Sequence, residues 1–421
     1  MIKMIKDKLR PFVHHIREDR VQKLALKAES HYQQLIEEIC SSGRKRLRFA
    51  SYVIFASTFG MDGVVREMIR NPDHWDVKIV IIPDISRGLE HAKNTYIKTK
   101  AYFIARYGAD YVLDGWNPGS NDFYDLLAEF DIVYYANPYD HMVNEVHKIK
   151  YASTKNVLPV YISYGYDVGW YTTLSRLKGP ELNLVWKLFA DTTYTYHDYI
   201  NHQIIKGKNV VLAGYSKMDN LVEYTIKKNN RKKILISPHH TVSFESLPLS
   251  NFLNYYDLIP RLPDLFPEID FVFRPHPLLF TTLKNAGIWT SDDIERFLDS
   301  LTSRGVQYST DGDYFALFSE CDAIVNDCGS YTVEWLYTGK PGCFVYNSQL
   351  REDQLTTLMK KAISNYNIAR SEEDIIAFIQ NVSKTDLDDL DLTMKDWVTD
   401  NIALNYPNVC GFILKELDIL A

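Results

Sequence analysis

The sequence predicts an α/β protein of two tandem Rossmann-like domains with an N-terminal helical extension, and three observations predict it. The chain has 421 residues, too many for one typical compact domain and comfortable for two. From Arg46 onward, short apolar, β-rich runs alternate with helical stretches, the pattern of βαβ units and a mostly parallel sheet. A basic polar stretch, Lys227–Lys233, interrupts the alternation, which then restarts, so it marks the domain boundary.

Taken in order, the first 45 residues read as a basic amphipathic extension. Val21, Leu24, Ala28, Tyr32, Leu35 and Ile39 recur at helical spacing. Between Met1 and Arg48 there are twelve Lys/Arg and six Asp/Glu, although the whole chain carries −7. Such a helix either packs its apolar stripe on its own protein or lies on an anionic membrane surface, and the sequence leaves both open. The first domain, residues 46–228, has strands expected at Arg48–Ala56, Val77–Pro83, Ile132–Ala136, Leu158–Ser163 and Val210–Ala213. Its helices are expected at Gly63–Arg70, Glu90–Tyr107 and Met218–Lys228. In the second domain, residues 229–385, strands are expected at Ile234–Ser237, Asp270–Arg274, Val306–Tyr308, Ala323–Val325 and Gly342–Tyr346. Helices are expected at Ser250–Leu262, Asp292–Thr302 and Tyr314–Ser319, and residues 386–421 read as further helices.

Composition narrows the class. Hydrophobic content of 46% and charged content of 24% are those of a soluble globular protein, and no apolar run approaches the roughly 20 residues that span a bilayer. The N-terminus lacks the apolar region and small-residue cleavage site of a signal peptide. Five scattered cysteines without Cys-x-x-Cys spacing predict a reduced cytoplasmic protein with neither disulfide frame nor zinc site. The acidic balance argues against general nucleic-acid binding.

The chemistry gathers where strands of the second domain end, the place where open parallel sheets bind ligands. Ile234–Ser237 runs into Pro238-His239-His240-Thr241, and Phe271–Phe273 into Arg274-Pro275-His276. Ala323–Val325 runs into Asn326-Asp327-Cys328-Gly329-Ser330, with a helix opening at Ser330 to Thr332. Backbone N–H groups at such a turn, with the helix dipole, favour a phosphate. Gly329, Ser330, Tyr331 and Thr332 are expected to hold it together with His239, His240, Arg274 and His276, and Glu334 to accept from a ribose. Arg274 offers a planar fork of donors, and a protonated His276 could give a proton to a leaving phosphate. No carboxylate stands at a ligand spacing beside these histidines, and neighbouring histidines are expected to point apart, so no metal site is predicted.

The first domain would supply the acceptor side. Ser57–Gly63 follows the first strand, and Gly60 and Gly63 would let a ligand approach closely. A general base towards an acceptor hydroxyl could be Asp167, Asp62 or His141, with Asp167 the first choice and Tyr164 beside it.

These segments resemble the CDP-glycerol glycerophosphotransferase family, the teichoic-acid and capsule polymerases of GT-B fold. Asp327-Cys-Gly-Ser330, Glu334 and Lys340-Pro341 match one family pattern, Arg274-Pro-His276 a second, and Gly214-Tyr-Ser-Lys-Met-Asp219 a third. The likeness runs over roughly residues 130–350. A family histidine falls on Tyr164-Gly-Tyr-Asp167 and is absent, and a family hydroxyl position is altered at Cys328-Gly329. The resemblance implies a transferase that moves polyol phosphate from a CDP-linked donor, such as CDP-glycerol or CDP-ribitol, to a glycan or polymer acceptor. It implies no cofactor beyond that donor, and a place at the cytoplasmic face with membrane contact open. A UDP- or CMP-sugar transferase, a two-Rossmann epimerase and a nucleotide-binding scaffold of a capsule complex are the other readings.

Overall fold

A computed structural model describes residues 2–224, 231–310, 314–385 and 393–421, with side chains from residue 18 onward. The chain forms two compact units. Unit one comprises Met1–Gly165, Leu174–Asp219 and Leu404–Ala421, and unit two comprises Tyr166–Thr173 and Asn220–Ala403. The expected boundary stretch lies mostly outside the described residues, as does the beginning of the expected C-terminal helical tail.

Unit one is built on a seven-stranded parallel sheet. In spatial order its strands are Val112–Asp114, Trp75–Ile81, Leu47–Val53, Ile132–Tyr135, Leu158–Ile162, Lys187–Ala190 and Val210–Leu212. Alternate residues feed two cores: Phe49 and Val53 face one layer of helices, Ala50 and Tyr52 the other. Burial on both faces explains why these strands read as continuous apolar runs. Short strands at Val112–Asp114 and Lys187–Ala190 escaped the sequence reading because neither is a long β-branched run.

The N-terminal helix, Ile2–Ser41, resolves one open alternative for its described half. Val21, Ala28, Tyr32, Leu35 and Ile39 are all buried, and the Tyr32 hydroxyl donates to Leu184 O at 2.6 Å. From Val21 onward the apolar stripe is therefore spent on unit one and is not offered to lipid. The last helix, Val409–Leu417, also packs on this unit rather than standing apart. Among the described residues no helix is long and apolar enough to cross a membrane.

Unit two holds a six-stranded parallel sheet. Its spatial order is Gln307–Tyr308, Ile269–Phe273, Lys232–Ser237, Ala323–Asn326, Gly342–Val345 and Asn367–Ala369. Numbered along the chain this is 3-2-1-4-5-6, the doubly wound order, so strand direction of travel reverses between Lys232–Ser237 and Ala323–Asn326. One face buries Ile234, Ile236, Phe271, Phe273, Ala323 and Val325.

Two expected helices are corrected. Ser250–Leu262 is not continuous but breaks into turns at Phe252–Asn254 and Ile259–Arg261 and a short helix Leu262–Leu265. Pro260 and Pro263 remove backbone donors there, and the Asn251 N–H is drawn off to Asp327. Met218–Lys228 is a 3-10 helix over Ser216–Glu223, and its expected end lies outside the described residues.

Candidate functional site

The switch point of the second sheet brings together most of the strand-end residues. Beyond the formal strands the ladder continues: Arg274 N donates to Ile236 O and His276 N to Pro238 O, both at 2.9 Å. This zips the first two strand-end loops together and fixes their side chains. The rings of His239 and His240 lie 4.3 Å apart, His240 and His276 4.1 Å, and His239 and His276 5.0 Å. One nitrogen from each of the three falls within 4.8 Å of the others. The expectation that neighbouring histidines point apart is thus corrected, because the two converge with His276 as the third.

All three rings are held neutral. Burial, reinforced by the neighbouring imidazoles, drives His239 well below its ordinary value. Burial lowers His240, and burial with His240 beside it pulls His276 down to about 3. A proton-donating imidazolium at His276 therefore does not fit the free protein at neutral pH, and its neutral ring can serve as a hydrogen-bond donor instead.

Arg274 supplies the positive charge. It is 8% exposed, with Nη1 donating to Ser309 Oγ at 3.0 Å and Nε to the Tyr331 hydroxyl at 3.3 Å. The third strand end completes the group. The N–H groups of Gly329, Ser330 and Tyr331 have no acceptor among the described residues, and the half-buried Ser330 hydroxyl is also uncommitted. The helix that opens here, Ser330–Glu334, has only five residues before tightening at Trp335–Thr338, so these free donors matter more than a helix dipole. A Cβ on Gly329 would stand 3.9 Å from His239 Nε2 and 3.2 Å from Val168. Glycine is what lets the two loops approach.

Two expected ligand groups face inward. Thr332 is fully buried, and its hydroxyl lies 2.6 Å from Cys328 O and 2.7 Å from Asn326 Oδ1. It ties the turn together rather than reaching a ligand. Glu334 is 2% exposed and accepts from the Tyr314 hydroxyl, so its carboxylate is engaged inside the protein rather than open to a ribose.

Two supporting residues, quoted in the family pattern, were given no role by the sequence reading. Asp327 is fully buried and accepts from His239 N at 2.5 Å, Asn251 N at 2.6 Å, Ser250 Oγ at 3.3 Å and the Tyr255 hydroxyl at 3.4 Å. Burial nevertheless raises its pKa to about 7. Lys340 donates to Phe318 O, Ser319 O and Cys321 O at 2.7–2.9 Å and so anchors the helix Phe315–Glu320 next to Tyr314. Their sequence signals were their places in the family pattern, an acid directly after a strand and a lysine before a proline.

The acceptor-side candidates fare differently. Asp167 does not belong to unit one: the segment Tyr166–Thr173 is part of unit two. Thr356 N donates to Val168 O at 3.0 Å, Thr356 Oγ1 to Asp167 O at 2.7 Å, and the Tyr166 and Tyr337 hydroxyls meet at 2.8 Å. Asp167 is thus carried one residue from the Val168 that covers Gly329, and is nearly buried at 9% exposure. Tyr164 stays in unit one, its carbonyl accepting from the Tyr215 hydroxyl at 2.9 Å. Asp62 is engaged by Arg106, Tyr107 and Arg66; burial opposes its charge, but these partners hold its pKa below the ordinary value. Gly60 is buried, its N–H on the Tyr134 hydroxyl and its carbonyl on Ser216 Oγ. Gly63 makes room for Cys410, whose Sγ would stand 2.5 Å from an added Cβ. The expected close approach at both glycines is by the protein itself, not by a ligand. His141 is exposed. A separate cavity of about 320 Å³ against the N-terminal helix contains none of these candidates.

No protein-family profile matches this chain, and no curated protein matches it by sequence. Solved structures do. The wall teichoic acid polymerase TagF is similar over 98% of both chains, with a TM-score of 0.56 at 12% identity. The UDP-GlcNAc 2-epimerase of Methanocaldococcus jannaschii is similar over 88% of this chain and 99% of its own, TM-score 0.53, 12% identity. The enzyme of the same name from Neisseria meningitidis, bound to UDP-GlcNAc, covers 88% and 99%, TM-score 0.51, 15% identity. At these identities the similarity establishes the fold, an α/β architecture of GT-B type.

Proposed function

We propose that this chain is a transferase that binds a nucleotide-activated donor by its diphosphate in unit two and passes polyol phosphate to a surface-polymer acceptor. The observation that carries the reading is the gathering of donors at one switch point: a buried arginine, neutral histidines, three free backbone N–H groups and the Ser330 hydroxyl. Such a set binds a diphosphate and stabilises the nucleotide phosphate as it leaves. The fuller coverage of the teichoic acid polymerase than of the epimerases, together with the Arg274-Pro-His276 and Asp327–Ser330 patterns, supports a CDP-polyol donor such as CDP-glycerol or CDP-ribitol. Catalysis then rests on lowering the cost of negative charge on the departing CMP, with an acceptor hydroxyl attacking the phosphorus and giving up its proton. Asp167 is the acid we assign as base, now on the same unit as the donor site.

The UDP-sugar reading has its own support in the shared fold of the UDP-GlcNAc 2-epimerases. Incubation with CDP-glycerol, CDP-ribitol and UDP-GlcNAc, each with an oligosaccharide acceptor, separates the two. Release of CMP with growth of the acceptor, abolished in Arg274→Ala, is the expected result. Turnover of UDP-GlcNAc alone would replace the reading with the sugar-nucleotide one.

A further inference from the structure

Three converging histidines with no carboxylate among their candidate ligand atoms can be a cation site or an anion site, and hydrogen bonding on the far side of each ring decides which. Thr241 Oγ1 accepts from Ser250 N at 3.2 Å and, also at 3.2 Å, from Leu249 N, whose N–H is shared with Leu247 O at 2.9 Å. A hydroxyl oxygen has two lone pairs, so both are taken. Its remaining contact among the described residues is His239 Nδ1 at 3.0 Å, the acceptor open to the hydroxyl proton. His239 Nδ1 is therefore an acceptor, and the neutral ring carries its proton on Nε2, the atom nearest Gly329. His276 reaches the same state by another route. The backbone N–H of Leu278 donates to His276 Nδ1 at 3.1 Å, and a peptide N–H cannot turn round to accept. This ring too holds its proton on Nε2.

Metal ligation through Nε2 would require the opposite tautomer, with Nδ1–H donating to an acceptor. Among the described residues neither ring has an acceptor free on that side.

We infer that Thr241 and the Leu278 amide lock His239 and His276 as Nε2–H donors, making this cluster a receptor for a phosphate or diphosphate anion and Thr241 its positioning residue. The inference builds on the nucleotide-donor reading but names what that reading leaves open: the protonation state of the pair, the residue that sets it, and the exclusion of a transition metal. His240, whose buried Nδ1 has no partner, is not locked in this way and stays outside the claim.

The test uses full-length protein with 15N-labelled histidine. Long-range 15N–1H correlation spectra, assigned with His239→Gln and His276→Gln, should show the proton on Nε2 of both residues at neutral pH. A proton on Nδ1 of either ring overturns the inference. Thr241→Val should release His239 into mixed tautomers and weaken inorganic pyrophosphate binding in proportion to the Nε2–H fraction lost, by about twofold. Thr241→Ser, which keeps the hydroxyl and the loop, should restore both. A His239 ring that keeps its proton wholly on Nε2 in a folded Thr241→Val protein overturns the positioning role. Cobalt(II) that binds wild type with a ligand-field spectrum, lost in His239→Gln and His276→Gln, overturns the anion assignment. If pyrophosphate binds as expected but no nucleotide does, the receptor stands and the transferase reading fails.

Discussion

The strand ends of unit one and unit two begin from the same kinds of residue and put them to opposite uses. In unit one, Asp62 is held by Arg106, Tyr107 and Arg66, and Asp219 accepts from Val409 N and Cys410 N to cap the last helix. Asp140 likewise accepts from Ile149 N and Lys150 N. In unit two the acid of the turn, Asp327, is also consumed internally, but its work is to hold a loop whose donors stay uncommitted. The lesson is that a glycine and an acid after a strand do not identify a ligand site. Donors left unspent around them do.

The largest effect that would sharpen this contrast is expected at Asp327. Asp327→Ala strands two buried backbone N–H groups, each costing about 1–3 kcal/mol, so stability should fall by several kcal/mol in denaturant unfolding and nucleotide binding should go with it. A small loss would mean that the loop is held by other contacts.

Next comes pH, where Asp62 and Asp327 should carry opposite signs. The Asp327 carboxyl titrates higher in the folded chain, near 7, than its ordinary 3.8. The folded state therefore binds the extra proton, and this contribution is fully present below pH 3.8 and lost as pH rises through about 7. Asp62 is shifted the other way, so its contribution is present above pH 3.8 and lost as pH falls through its lowered folded value. Unfolding free energies measured across pH should lose the first slope in Asp327→Asn and the second in Asp62→Asn. If neither variant alters the profile, the electrostatic contrast is wrong.

A further separation is expected between stability and binding. Asp62→Asn should cost about 1–3 kcal/mol of stability, as the loss of charge-assisted hydrogen bonds, yet leave nucleotide affinity unchanged. Any marked loss of affinity in the folded variant would return Asp62 to the acceptor side of the reaction.

The smallest effects concern the glycines. Gly63→Ala drives a methyl into Cys410 and should destabilise by about 1–3 kcal/mol through overpacking. Gly329→Ala meets Val168 at 3.2 Å and His239 Nε2 at 3.9 Å, and should cost less in thermal stability while crowding the mouth beside His239. Melting curves and nucleotide titrations of the two variants would show the reversed order of effects, or refute it.

Much of the architecture was legible because parallel strands buried on both faces are continuous apolar runs. Leu158–Ile162 and Ala323–Asn326 lie within a residue or so of where the sequence put them. Asn367–Ala369 escaped because it is three residues long and largely exposed, and the run Ser250–Leu262 deceived because its apolar spacing is helical while its prolines and Asp327 take the backbone elsewhere. At the site, residue type and strand-end position were enough to bring Arg274, His239, His276 and Ser330 together. They could not show the inward turn of Thr332, the burial of Glu334 or the membership of Asp167 in unit two. Those depend on which hydrogen-bond partner wins once the loops are folded, and no local pattern records that.

The most direct test of the central claim is a calorimetric titration of CDP, UDP, GDP and ADP into wild-type protein and into Arg274→Ala. The account predicts a nucleoside diphosphate bound by wild type, CDP most tightly, with affinity lowered about a hundredfold when the buried guanidinium is removed. A well-folded wild-type protein that binds none of them, or an Arg274→Ala variant that binds as well as wild type, would contradict it.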